Sequence, residues 1–170
     1  MKNTVLKYGV ISGLVSTTLM LATFPFLERI GDYGAYVGYT GILISFLFVY
    51  FGVRAYRDSQ PGRPLTFATA FNVGLLITLI SCVFYVATWL VMYYQFMPDF
   101  ADKYAARIVE GLRAKGAPQM QIDDAIKQGV QLKELLANPF MNAAMTFTEP
   151  FPVGLLVTLV SAATLRRKAE

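Results

Sequence analysis

Glu149, Pro150, Phe151 and Pro152 are the residues of this 170-residue chain whose types bear most directly on chemistry. If a helix ran through them from Asn142, each proline would remove an i to i−4 hydrogen bond, freeing the carbonyls of Thr146 and Thr148 beside a carboxylate. Free carbonyls and a carboxylate together suit a cation or a proton. The same residues also suit a helix start, with Pro150 at the first helical position, Thr148 or Glu149 as its cap, and the acid at the positive end of the helix dipole among lipid headgroups. In that second arrangement residues 140–147 form a short helix at the interface, capped by Asn138 with Pro139 at its first position. The sequence leaves both open.

Other chemistry is sparsely provided. There is no histidine, which removes the commonest general base and zinc ligand. The one cysteine, Cys82, lies in an apolar run and reads as a packing residue. No phosphate-cradling glycine loop, nucleophile elbow or pair of intramembrane carboxylates occurs, so the expectation is a non-enzyme with no catalytic residues, no metal site and no cofactor.

The elements that must position these residues follow from composition. The chain is 55% hydrophobic and 15% charged, with a mean hydropathy of +0.48, too apolar for an ordinary soluble domain. Its net charge of +4 sits at the ends of apolar runs rather than interleaved with aromatics, which points to a bilayer and away from nucleic acid. Four apolar stretches predict spans over about residues 8–27, 33–53, 67–97 and 150–165. The first is read as a span rather than a signal peptide, since no cleavage site follows it. The fourth is short. Lys2, Lys7, Arg54, Arg57, Arg63, Arg166, Arg167 and Lys168 fall on one side of these spans. The opposite short loop, which also holds Glu28 and Asp32, carries only Arg29, so both ends of the chain are expected in the cytoplasm.

Residues 99–138 predict an extramembrane amphipathic hairpin. Phe100, Tyr104, Ile108 and Leu112 recur every four residues in its first helix, which starts at an Asp99 cap and closes at Lys115 and Gly116. Ile122, Ile126 and Val130 line one face of the second, which begins at Pro118. The fold class expected is therefore all-α: a four-helix transmembrane bundle with a helical hairpin between the third and fourth spans.

The chain also repeats itself. Residues 73–81 read VGLLITLIS and residues 153–161 read VGLLVTLVS, and over 66–81 against 146–161 ten of sixteen positions are identical. In oppositely directed helices such an echo has the form of an inverted repeat. Gly74 and Thr78, like Gly154 and Thr158, are spaced four apart and form small-residue packing grooves. Gly9 and Gly13, and Gly34, Gly38 and Gly41, supply similar grooves. Asn72 reads as an interhelical hydrogen bonder, and the tyrosines at span ends as interfacial belts.

The whole chain resembles a bacterial inner-membrane family known as domain of unknown function 4199. The resemblance rests on KYGVISG at 7–13, FGVRAYRD at 51–58, TFATAFNVGLLITLIS at 66–81, PDFADKYA at 98–105 and NPFMNAAMTFTEPFPVGLLVTLVSA at 138–162. It implies a multi-span bacterial membrane protein and no activity. The functional expectation is an interaction or accessory subunit of the inner membrane, homo-oligomeric or joined to another membrane protein. The alternative is a small oligomeric transporter or channel using Glu149, Thr146 and Thr148 for an ion, proton or small solute.

Overall fold

The structure, a computed structural model, describes residues 1–30 and 33–167, with backbone alone at 27 and 28. Asp32, Lys168 and the Glu28 side chain therefore lie outside the described residues. Those described form α1 (Lys2–Thr23), α2 (Leu27–Ile30), α3 (Gly34–Asp58), α4 (Phe67–Phe96), α5 (Phe100–Ala114), α6 (Gln119–Ala137), α7 (Pro139–Phe147) and α8 (Pro150–Leu165), with no strand among them. Four segments are long and apolar enough to cross a membrane: Lys2–Phe26, Gly34–Asp58, Phe67–Phe96 and Pro139–Leu165.

Local chemistry sets these boundaries. Pro25 cannot donate to a continuing helix, and α1 gives way to a single 3-10 turn at Phe24–Phe26. Thr66 caps α4, its hydroxyl accepting from the Thr69 amide at 3.2 Å. At 30 residues, α4 is about 45 Å long, against a hydrocarbon core of about 30 Å. α8 runs over Pro150–Leu165, and α7 adds nine apolar and small polar residues ahead of it, so the apolar segment extends over Pro139–Leu165. The Asn138 side chain opens α7 by accepting from the amides of Phe140 at 2.9 Å and Met141 at 3.3 Å.

The chain divides into two compact units. The first holds α1 to α3, α4 as far as Thr88, and α8. Its centre is apolar, with Phe46, Val49, Val53, Val73, Ile77 and Ala162 at most 1% exposed. A knot of small hydroxyls fixes the register: Ser12 Oγ donates to the Ser45 carbonyl at 2.8 Å and lies 3.0 Å from Ser81 Oγ. One level along, Thr17 and Thr88 share a hydrogen bond of 2.8 Å. Outward-facing residues of the spans are large and apolar, Val83, Leu156 and Val160 among them, as a lipid-facing surface requires.

Glycines let these helices close up. A methyl group at Gly9 would meet Ile80 at 2.9 Å, and one at Gly13 would meet Phe84 at 2.5 Å. Gly52, which the sequence reading passed over, faces Ile77 and Tyr8. Gly41 is in ordinary contact with Leu19, whereas Gly38 has open space beside it and Gly34 meets only Ile30 of the preceding turn, so the groove expected along these three does not form as one seam.

The second unit, Trp89–Thr146, contains the hairpin. Gly116 turns it with φ +67, a conformation that favours glycine, and a methyl at Gly129 would meet the Ala105 side chain at 2.6 Å. Lys133 Nζ reaches both oxygens of Asp102 at 2.8 Å. Asp99 occupies the cap position of α5 but makes no side-chain cap bond; its carboxylate pairs with Lys103 Nζ at 2.9 Å instead.

Candidate functional site

The echoed segments meet each other. A methyl at Gly74 would strike Thr158 at 2.9 Å, and one at Gly154 would strike Thr78, so α4 and α8 run antiparallel and cross with Gly facing Thr twice. The Thr78 and Thr158 hydroxyls lie 3.0 Å apart, and Thr78 Oγ1 lies 3.4 Å from the Gly154 carbonyl. Both threonines are fully buried. The symmetry extends to Phe67 on Phe71 and Phe147 on Phe151, both stacked, with ring centroids 6.1 and 4.9 Å apart. Small residues here admit a neighbouring backbone and leave no space for a ligand.

At the far end of the same helix pair lies the one acid of the crossing. Glu149 precedes α8 with helical dihedrals and makes no side-chain cap bond. Its Oε2 accepts instead from the Tyr85 hydroxyl of α4 at 3.0 Å. Of the residues the sequence grouped as a site, Thr146 directs its hydroxyl to Asn142 Oδ1 at 3.3 Å. Thr148 is exposed. Tyr85, the residue that partners Glu149, was not singled out from sequence. It stands 64 positions away, and only its place in mid-span, away from the tyrosine belts, marks it.

Depth follows from register. Tyr8, Gly52 and Ile77 share one level, and Lys7 and Arg54 lie within two residues of it. Tyr85 is eight residues further along α4, or about 12 Å, and lies well inside the apolar run Phe67–Phe96. The carboxylate is also exposed on the surface of the single chain. A bare negative charge at that depth is costly, and a bound proton or an opposing cation removes the cost.

Beside Tyr85 a half-open cleft of about 420 Å³ runs between α1 and α3. Ser16, Thr23, Tyr33, Tyr36, Thr40 and Tyr85 supply its polar atoms among apolar side chains. Three of the hydroxyls are already committed to their own helices: Ser16 donates to the Gly13 carbonyl at 2.8 Å, Thr23 to Met20 at 2.9 Å and Thr40 to Tyr36 at 2.7 Å. No group of three or more carboxylates or thiols able to hold a metal ion occurs among the described residues.

The second unit has a polar cluster of its own. Asn142, fully buried, accepts from Trp89 Nε1 at 2.9 Å and donates to the Leu136 carbonyl at 3.2 Å, while the Tyr94 hydroxyl donates to the same carbonyl at 2.8 Å. Every polar atom here has a partner in the unit, and the cluster ties the hairpin's end to the last turns of α4.

A family model described as a protein of unknown function (DUF4199) matches residues 7–167. No curated protein and no solved structure matches the chain.

Proposed function

The chain belongs to that family of unknown function, and from this premise we propose that it is a non-enzymatic protein of a bacterial inner membrane that takes up and releases a proton, or a small cation in its place, at Glu149. The observation that carries the reading is the Glu149 to Tyr85 hydrogen bond of 3.0 Å between two apolar spans. Ionisable groups at such depth are expensive and mark ion or proton pathways. Tyr85 supplies one donor, which supports the carboxylate without neutralising it. Four spans leave little room for a pathway inside one chain, and Glu149 opens on its surface, so a second copy completes the route. Both ends of the chain face the cytoplasm in this proposal, as the basic residues of the short segments require.

The test is carbodiimide labelling, which modifies protonated carboxyl groups in apolar surroundings, joined to proton flux in proteoliposomes. The expected result is modification confined to Glu149 and flux abolished by Glu149→Gln, with oligomer mass in mild detergent unaltered. An unreactive Glu149 together with unchanged flux in the variant would remove the reading.

A second reading, an accessory subunit bound through the hairpin, is favoured by one observation. Tyr104, Ile108, Ile126 and Val130 remain exposed on α5 and α6. Ile126→Ser with Val130→Ser is expected to release a bound partner, seen as a lower mass in mild detergent, only if this face is an interface.

A further inference from the structure

We propose that the cleft beside Tyr85 binds a hydrophobic monovalent organic cation whose charge takes the place of the proton on Glu149. The inference rests on the Glu149 reading and adds the class of ligand.

Three features of the cleft converge on that class. Its volume, about 420 Å³, suits a small drug-sized molecule. Its wall is effectively apolar, because Ser16, Thr23 and Thr40 spend their hydroxyl protons on backbone carbonyls of their own helices. A sugar, an amino acid or a hydrated metal ion would therefore lose more hydrogen bonds to water than the cleft returns. Finally, three tyrosine rings line it. Tyr33 and Tyr36 are among the most exposed side chains of the first unit, with ring centroids 6.4 Å apart, and Tyr85 closes the other side. Ring faces attract organic cations and do nothing for anions.

Charge decides between a cation and a neutral oil. Tyr85 lines the cleft and its hydroxyl donates to Glu149, so a positive centre against that ring is separated by Tyr85 alone from the one carboxylate of the crossing. Tyr39, on the α3 side of the cleft, interacts electrostatically with Tyr85. Neither is basic. A cation that takes the proton's place leaves the site's net charge as it was. Raising the pH favours the cation, since fewer protons compete.

The experiment uses the full chain in mild detergent with tetraphenylphosphonium as the probe and tetraphenylborate, of almost equal size and opposite charge, as the control. Binding is followed by calorimetry in buffers of different ionisation enthalpy, which counts released protons. Expected are binding of the phosphonium that tightens with pH, release of about one proton, no binding of the borate, and a loss of about tenfold or more in Glu149→Gln. Tyr36→Leu, which keeps an apolar side chain, is expected to weaken the phosphonium several-fold through the lost ring face. Equal binding of both probes, or phosphonium binding unmoved by Glu149→Gln, would overturn the proposal and leave an apolar slot. If the phosphonium fails to bind while carbodiimide still modifies Glu149, the cleft inference fails and the proton reading stands. Failure of both removes both.

Discussion

Thr78 and Thr158, eighty positions apart in the chain, share a hydrogen bond of 3.0 Å at the crossing of two antiparallel helices whose sequences repeat each other. The pair shows how the first unit is held. Packing and the hydrogen bond contribute very differently there, and the difference can be measured.

Gly154→Ala places a methyl group against Thr78 and, at 2.8 Å, against Phe46, in a core with no slack. The expected cost is about 1–3 kcal/mol from overpacking. Thr78→Val removes only the hydroxyl pair, and Thr158 can turn back to its own helix, so about 0.6 kcal/mol is expected. Unfolding in mixed micelles should rank the two in that order; a larger loss in Thr78→Val would make the hydrogen bond the stronger holder.

Asn142 offers the sharpest test of the second unit. Asn142→Leu leaves Trp89 Nε1 without its 2.9 Å acceptor and takes one of two donors from the Leu136 carbonyl. About 2–3 kcal/mol of destabilisation is expected from the unsatisfied groups. The chain's one tryptophan reports it directly, and its emission should shift in Asn142→Leu and stay put in Gly154→Ala.

Asp99 gives a pH dependence with a definite sign. The hydrogen bond from Lys103 holds its carboxyl below the ordinary carboxylate range. A group depressed on folding stabilises fully above its unfolded pKa, and that contribution is lost as pH falls through the folded value. The pair is exposed, so the effect is small and salt-sensitive. Titration of the Asp99 carboxyl by NMR should give a midpoint that rises in Lys103→Met and with added salt.

Cys82 is fully buried in the first unit. Maleimide should leave it unmodified in the folded protein and label it as the bundle opens, with a rate that increases in Gly154→Ala. Rapid labelling of the unaltered chain would contradict its packing.

Most of the spans are legible because hydrocarbon tolerates few charges, and uncharged runs of about twenty residues stand out in the sequence. The hairpin is legible for the opposite reason, since Phe100, Tyr104 and Ile108 recur at helical spacing among charges. The start of the fourth crossing is legible only in part, since the Asn138 cap and Pro139 mark a short helix without saying whether it joins the crossing. Glu149 interrupts the apolar run, so a count of uncharged residues begins at Pro150, while Asn138 caps a further helix that carries the crossing upstream. The partner of Glu149 was equally hidden, because side-chain pairing across 64 positions depends on helix rotation, which composition does not encode. The glycines teach the same point. Gly38 and Gly52 look alike in sequence, yet one borders open space and the other is pressed against Ile77.

The matched grooves of α4 and α8 have a consequence for assembly. A seam in which Gly74 takes Thr158 and Gly154 takes Thr78 is satisfied as well by the α8 of a second copy as by a chain's own. What favours the internal match is the tether between them, which holds the two helices at an effective concentration on the order of millimolar. Shortening or stiffening that tether would trade the internal match for a swapped one between two copies, with every contact of the seam retained.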